Sequence, residues 1–444
     1  MMVHDREGIV LTGATPESRD RYERGRDLFL CYVGDPQAEA DAAIAASPGF
    51  AMAHVFRGWL NVLGTEPAGF VEARASHAQA MPMVATACER GHLAALGLLL
   101  DGQWHGAAQA LQRVSIDHPR DLLALQVGHL LDFFTGEARL LRDRIARALP
   151  DWSEDRPGYH ALLGMHSFGL EECGDYGQAE RQGKRAIELQ PRDGWAQHAV
   201  AHVLEMQCRH RDGLAWMLDD TDRWTRDSFS AVHSWWHAAL FHLALDEIDE
   251  ALALFDGPIH GDKSTLILNL IDASALLWRF NLRGIDVGDR WQSVAHNWAV
   301  LGEAGAGFYA FSDIHAVLAL ICGGETDRLA ATLESMERAA AGPGDNATFT
   351  RDVGLPTARA FKAFADGDFK RSTELLLPVV PDAYRFGGSH AQRDLLDLTL
   401  IEAAFRAGDT ALARALTAER RIAKPGSPAS EALFKRARAL PVAV

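Results

Sequence analysis

The chain has 444 residues, and its 44 Lys and Arg against 60 Asp and Glu leave a formal net charge of −16. This balance argues against a nucleic-acid-binding surface, because affinity for phosphate comes mainly from Lys and Arg. The longest apolar run, Leu93 to Leu100, is too short to cross a bilayer and the first residues lack a secretory signal, so we expect a cytoplasmic protein that does not bind membranes.

Apolar residues recur at helical spacing along almost the whole chain, without the alternating β-branched runs of a sheet, which predicts an all-α protein. Short breaks that begin with Gly separate the helical stretches. Gly suits the left-handed residue that ends a helix. The spacings include 34 residues from Gly102 to Gly136 and 38 from Gly136 to Gly174. The breaks begin at Gly102, Gly136, Gly174, Gly324, Gly367 and Gly408.

One unit of this pattern predicts a pair of helices, over Gly158 to Cys173 and over Tyr176 to Leu189. After the turn at Gly174, small residues follow at Ala179 and Ala186, where two helices can cross closely. The same spacing is repeated after Gly102. A helix–turn–helix of about 34 residues, repeated along the chain, is typical of tetratricopeptide repeats. We therefore predict tetratricopeptide-like helical hairpins.

Two segments rich in Gly and Pro, residues 257–262 and 342–346, predict loops. We expect an N-terminal segment over residues 1–19, a degenerate helical-repeat array over 20–341, a loop over 342–357 and closing helical repeats over 358–444.

Histidine is concentrated in the middle of the chain, where residues 160–242 hold eight of the 19, including His166. In the helix expected after Asp193, the residues His198, His202, Glu205 and Arg209 fall within about 60° of one another at about 100° per residue. This stripe is suited to hold a metal ion, to act as an acid–base group or to form the polar face of an amphipathic helix.

The next long helix carries His233 and His237 on one face, beside Trp236. In a repeat stack, equivalent helices line the same wall, so both histidine pairs are expected to face one cavity. The alternatives are histidines packed in an aromatic core and direct metal ligation. The pattern H-x-x-x-H alone is weak evidence for a metal, and neither helix has H-E-x-x-H.

Other polar residues are further candidates. Asp272 is an acid in an apolar helix and is expected to pair with Arg279 or with a neighbouring helix, or to face the same cavity as the histidines. Asp313 and His315 are two residues apart and orient each other only in a loop. Ser389 and Gln392 form a capping-box pattern, and Arg393 lies close to an N-terminus suited to anions.

Several ordered strings resemble the tetratricopeptide repeat protein 38 family, over roughly residues 20 to 440. They are 167–172, 198–206, 233–237, 352–356, 387–389 with 391–394, and 424–428. His390 departs from the Asn expected in that family. The resemblance implies an all-helical superhelix that curls into a nearly closed shape, and it implies no particular chemistry.

We predict a cavity in the superhelix that binds a small polar or anionic ligand, and the sequence does not decide whether the protein is an enzyme. The alternative is a scaffold that binds a peptide or partner protein. We expect no metal and no cofactor, and leave a homodimer open. Candidate catalytic residues are His198, His202, Glu205, His233 and His237. Candidate ligand-binding residues are Trp236, Asp272, Asp313, His315, Arg209, Arg393 and His166.

Overall fold

A computed structural model describes residues 2–301 and 305–441. The chain divides into two compact units, one made of residues 1–200 with 220–231 and the other of residues 201–219 with 232–444. Both consist mainly of helices paired in hairpins, which confirms the all-α, tetratricopeptide-like prediction. Among the described residues, no helix combines the length and the apolar character needed to cross a bilayer.

The first unit opens with two short antiparallel strands that the sequence did not predict, β1 (Val3–His4) and β2 (Val10–Leu11). Helical hairpins follow, and the last helix crosses the boundary between the units after Val200. The helices are α1 (Pro16–Cys31), α2 (Pro36–Ala46), α3 (Ala51–Val62), α4 (Pro67–Ala80), α5 (Ala87–Leu100), α6 (Trp104–Asp117), α7 (Leu122–Phe134), α8 (Ala138–Ala148), α9 (Tyr159–Glu172), α10 (Tyr176–Leu189) and α11 (Gly194–Met206).

The second unit continues the pattern, except that the short α13 belongs to the first unit. The helices are α12 (His210–Leu218), α13 (Asp222–Thr225), α14 (Ala231–Ala244), α15 (Ile248–Leu254), α16 (Ile267–Leu282), α17 (Arg290–Val300), α18 (Ala310–Cys322), α19 (Thr326–Ala340), α20 (Asp345–Phe349), α21 (Leu355–Ala365), α22 (Phe369–Leu376), α23 (His390–Arg406), α24 (Thr410–Ala423) and α25 (Pro428–Ala439). Short 3-10 or π turns lie at Leu149–Asp151, Phe255–Ile259, Thr350–Gly354 and Val380–Phe386.

The hairpin α9–α10 shows how closely the local signals specify the fold. Its helices match the predicted ranges within a residue at each end. Gly174 has φ +83°, and a Cβ there would meet nothing within 4 Å, so only the left-handed backbone requires glycine. Ala179 and Ala186 are fully buried where the helices pack. The other five predicted turn glycines also have positive φ.

A buried ion pair joins the hairpins in the middle of the first unit. Arg144 on α8 donates from Nε to Asp132 Oδ2 at 2.7 Å and from Nη2 to Asp132 Oδ1 at 2.9 Å. Its Nη2 also donates to the carbonyl of Ala108 at 3.0 Å. Both charged side chains are at most 1% exposed. The pair therefore links α6, α7 and α8 without contact with water.

The two segments predicted as loops contain helical structure. Residues 345–357 form α20, a π turn and the start of α21. Phe349 and Val353 are buried, and Pro356 stands in the first turn of α21, where its missing N–H is tolerated. Burial of the apolar side chains therefore outweighs the Gly and Pro signals that favoured a loop. The segment after α15 likewise forms a short π turn, Phe255–Ile259.

Candidate functional site

Three of the predicted histidines lie together in the second unit. His202 on α11 and His237 on α14 are fully buried, and their ring centroids are 4.4 Å apart. The ring of His233, one turn before His237, lies 5.0 Å from His237 and 6.5 Å from His202. The i, i+4 spacing on α14 thus turns two imidazoles toward the third. We call His202, His233 and His237 the histidine group.

Asp272 on α16 orients the histidine group. Nδ1 of His233 lies 2.9 and 3.0 Å from the two carboxylate oxygens of Asp272, which is only 2% exposed. The carboxylate accepts a hydrogen bond when Nδ1 is protonated, which leaves the lone pair of the neutral ring on Nε2. Of the expected alternatives for Asp272, the structure shows pairing with a neighbouring helix, because its partner His233 lies on α14.

Trp236 contacts both the histidine group and a cationic side chain. Its indole is fully buried and stacks on His233 at 5.3 Å between ring centroids. The guanidinium of Arg279 lies over the same indole, 5.2 Å from its centroid. An indole between cationic and imidazole groups is a favourable arrangement, because its negative π face attracts positive charge.

The second unit also contains a cavity of about 470 Å³. This volume is within the range of small-ligand sites. Apolar side chains of α14, α16, α23 and α25 form much of its wall. The apolar lining residues are Leu240, Leu243, Ala244, Leu282, Ala391, Leu398, Ile401, Pro428, Ala429, Ala432 and Leu433. Of the described residues predicted as site residues, Glu205 lines this cavity and the histidine group does not.

Arg279 on α16 brings a positive charge to the cavity wall, although its side chain is buried. Its Nη1 and Nη2 donate to the backbone carbonyls of Ala275 and Ala391, at 3.0 and 2.8 Å. Among the described residues, no carboxylate lies within ion-pair distance of its guanidinium. Burial lowers the pKa of Arg279 to about 10, against the opposing effect of Asp394 and Glu205. Desolvation of this cation is therefore only partly compensated.

Two further side chains extend the polar part of the wall. Arg283, one turn after Arg279, donates to the carbonyl of Leu243 at 2.7 Å, and burial lowers its pKa. Glu205 on α11 is 9% exposed, and its Oε2 is buried without a hydrogen-bond partner. The cavity therefore combines guanidinium donors with a carboxylate acceptor that its surroundings leave unsatisfied.

The remaining charges of the wall are paired. Asp394 accepts from both terminal nitrogens of Arg420, at 2.7 and 3.0 Å, and lies 3.4 Å from Lys424. Burial alone would raise the pKa of Asp394, but these two cations hold it well below its usual range. Glu402 pairs with Arg436 at 2.6 Å. Arg283 lies 3.8 Å from the exposed carboxylate of Asp246, so Arg279 is the cation of the wall best placed to take a ligand's anionic group.

Two predicted arginines lie outside this arrangement. Arg209 does not extend the stripe of α11, because the helix ends at Met206 and Cys208 has φ +56°. Its Nε donates to Asp212 Oδ2 at 2.8 Å, on the surface. Arg393 donates to the carbonyl of Gly388, at the N-terminus of its own helix. The capping box of Ser389 and Gln392 is present as predicted.

His198 and His166 belong to the first unit. The ring of His198 stacks on Phe168 at 5.6 Å and lies 5.0 Å from the indole of Trp195. Nδ1 of His166 lies 2.7 Å from Gln182 Oε1, and burial lowers the pKa of His166. These contacts place both imidazoles in packed surroundings within that unit.

Asp313 and His315 lie on α18 and are almost fully buried. Asp313 Oδ1 accepts from the amide of Gly307 at 2.9 Å, and burial raises the pKa of Asp313 to about 7. Nδ1 of His315 lies 2.7 Å from the carbonyl of Phe311, and burial lowers its pKa to about 4. As expected for a helix, the two side chains are not hydrogen-bonded to each other.

A second group with metal-ligand chemistry lies in the first unit. Cys88, His92 and Asp121 are buried together, and Asp121 Oδ2 lies 3.0 Å from Cys88 Sγ and 2.9 Å from His92 Nε2. Asp121 also caps α7, because its Oδ1 accepts from the amide of Ala124. One carboxylate oxygen thus fixes the start of a helix and the other holds Cys88 and His92, which gives the group a structural role.

No family model matches the chain. Solved structures that match this chain at low similarity include a human IFIT1 dimer with m7Gppp-AAAA, at 12% identity and a TM-score of 0.43, covering 99% of this chain and 96% of that one. Yeast Tom70 has 15% identity and a TM-score of 0.32, covering 95% and 87%. The tetratricopeptide domain of P58(IPK) has 11% identity and a TM-score of 0.20, covering 88% and 99%. At these identities and TM-scores, the similarity carries no argument about this chain.

Proposed function

We propose that the protein is a helical-repeat binding protein whose second unit takes up the free carboxyl end of a partner polypeptide. The observation that carries this proposal is the buried guanidinium of Arg279 at the cavity wall, which forms no ion pair with a described carboxylate. A buried cation is unfavourable unless it is paired, and a carboxylate offers the bidentate partner that guanidinium groups bind best. Arg283 adds a second cation one turn away.

The rest of the wall favours a peptide end over a simple organic anion. The unsatisfied Oε2 of Glu205 needs a donor, which a backbone N–H supplies and a fatty acid does not. Leu240, Leu243 and Ile401 offer an apolar surface for the last side chain of the peptide. A terminal residue such as Leu therefore brings a carboxylate, an amide donor and an apolar group to the cavity together.

This proposal follows the alternative hypothesis from the sequence, a scaffold that binds a peptide or partner protein. It also keeps the anionic group that the hypothesis of a ligand-binding cavity assigned to the ligand. Membership of the tetratricopeptide repeat protein 38 family also remains our proposal, supported by the ordered strings of the sequence and by the hairpin fold. Catalysis by the predicted histidines remains a prediction, and binding as proposed here needs no reaction step.

Binding is tested with fluorescein-labelled octapeptides that end in Leu, one with a free carboxylate and one with a C-terminal amide. Fluorescence polarisation is expected to show tighter binding of the free acid by about 10- to 100-fold, because the amide loses a charge-assisted pair worth about 1.5–3 kcal/mol. Octanoate serves as a competitor. If octanoate displaces the labelled peptide at a concentration equal to that of the peptide, the cavity does not prefer a peptide end. If none of the probes binds, the proposed function is wrong.

Replacing Arg279 with Met is expected to weaken binding of the free-acid peptide by about 10- to 100-fold. Stability is expected to change little, because loss of two hydrogen bonds to carbonyls is offset by removal of a desolvated charge. Thermal unfolding and polarisation measure the two effects separately. Arg290→Met is the matched control, since Arg290 pairs with Asp256 on the surface of the same unit. Equal binding by the two variants would exclude Arg279 as the carboxylate site.

A further inference from the structure

We propose that His202, His233 and His237 form a site for a divalent transition-metal ion, with zinc as the expected occupant. This site is separate from the cavity proposed to bind a peptide, and it departs from our expectation of a protein without metal. It rests on the histidine group and on Asp272, all within the second unit.

The three imidazoles have the spacing that a metal requires. Their ligand nitrogens lie within 4.8 Å of one another. A zinc ion bound at about 2.1 Å from each nitrogen holds the nitrogens about 3.4 Å apart. Side-chain rotations that shift each nitrogen by about 1 Å therefore bring the three ligands to bonding distance. His233 and His237 come from one face of α14, and His202 comes from α11, so rigid helices supply all three ligands.

Asp272 is the second observation that points to a metal. Its carboxylate holds Nδ1 of His233 at 2.9 and 3.0 Å, so Nε2 is the nitrogen with which that ring would bind a metal ion. A carboxylate behind a metal-binding histidine fixes the tautomer, orients the ring and increases its basicity. It also supplies one negative charge against a divalent cation in a buried site. Packing of neutral histidines alone requires no such charge.

The ligand type limits which ions fit. Three neutral imidazoles favour zinc, copper, nickel or iron over magnesium or calcium, which prefer oxygen ligands. Zinc commonly takes three protein ligands and a fourth ligand from water or a bound molecule. The full coordination then needs one further donor.

The test uses the full chain without a histidine tag, stripped with a chelator and dialysed against one equivalent of zinc or of cobalt(II). Elemental analysis is expected to find close to one ion per chain. Cobalt(II) is expected to give visible absorption bands of a nitrogen-ligated site without a thiolate charge-transfer band, and Cys88→Ser is expected to leave both results unchanged. Absence of zinc uptake by the wild-type chain, or a thiolate band that disappears in Cys88→Ser, would overturn the proposal.

Variants locate the ion. His237→Gln is expected to weaken zinc binding by at least about 100-fold, and Asp272→Asn by about 10- to 100-fold, because Asp272 positions a ligand without binding the ion. His260→Gln is the matched control, since His260 is a buried histidine of the same unit whose Nε2 contacts Ser293 Oγ at 3.1 Å. Zinc that stabilises His237→Gln against heat as much as wild type would place the ion elsewhere.

Discussion

Replacing Asp132 with Asn is expected to destabilise the first unit by about 3–5 kcal/mol, because it leaves the guanidinium of Arg144 buried without a counter-charge. The new side chain also turns amide hydrogens toward the donors of Arg144. The melting temperature of the unit should fall by roughly 10 °C, at about 2–4 °C per kcal/mol for a unit of this size. Differential scanning calorimetry measures the change in melting temperature.

A double variant distinguishes the effect of the lost ion pair between Asp132 and Arg144 from the effect of altered side-chain packing. Asp132→Leu with Arg144→Met removes both charges and keeps apolar volume, and it is expected to recover most of the stability lost in Asp132→Asn. If the single and the double variants lose equal stability, the defect lies in packing or in the hydrogen bond to Ala108, and the buried pair is not its source.

Replacing Asp313 with Asn is expected to change how the stability of the second unit depends on pH. Burial raises the pKa of Asp313 to about 7 in the folded chain, above its value of about 3.9 when unfolded. Between about pH 4 and pH 7, the carboxyl group of Asp313 therefore holds a proton in the folded state and releases it in the unfolded state. The contribution of Asp313 to the free energy of unfolding is therefore most favourable below about pH 4, falls as pH rises to about 7, and above that is a deficit of about 4 kcal/mol.

The side chain introduced by Asp313→Asn would mimic the protonated acid, because its oxygen still accepts from Gly307 and its amide does not ionise. This variant is therefore expected to be more stable than wild type at pH 8 and similar at pH 4. Chemical denaturation at both pH values measures the difference. Asp327→Asn, at an exposed acid in the first turn of α19, is the control. A stability difference that stays constant from pH 4 to pH 8 would contradict a raised pKa.

The hairpin fold could be predicted because its signals are local. Gly174 and its counterparts mark left-handed turns, and Ala179 and Ala186 mark close helix crossings, so each hairpin is specified within about 34 residues. The same local reasoning was wrong for residues 345–357. There, burial of the side chains of Phe349 and Val353 outweighed the Gly and Pro signals for a loop.

The candidate site was predictable only in part. The i, i+4 spacing correctly set His233 and His237 on one face, but Arg209 fell beyond the end of α11, because positive φ at Cys208 stops the helix. Arg279 was considered only as a partner for Asp272. A lone Arg in an apolar helix is compatible with pairing, snorkelling or ligand binding, and only the packing of α14, α16 and α23 shows which groups surround it.

The left-handed glycines have a consequence for how the chain tolerates change. Replacing Gly174 with any residue other than Asn or Asp is expected to lower the free energy of unfolding by about 1–2 kcal/mol. A Cβ there would meet nothing within 4 Å, so the cost comes from the left-handed backbone alone. A saturation mutagenesis scan should therefore show narrow minima of tolerance at Gly102, Gly136 and Gly174, between exposed helix positions that accept most residues. The repeat would then be visible in fitness data as a series of sharp minima 34 and 38 residues apart.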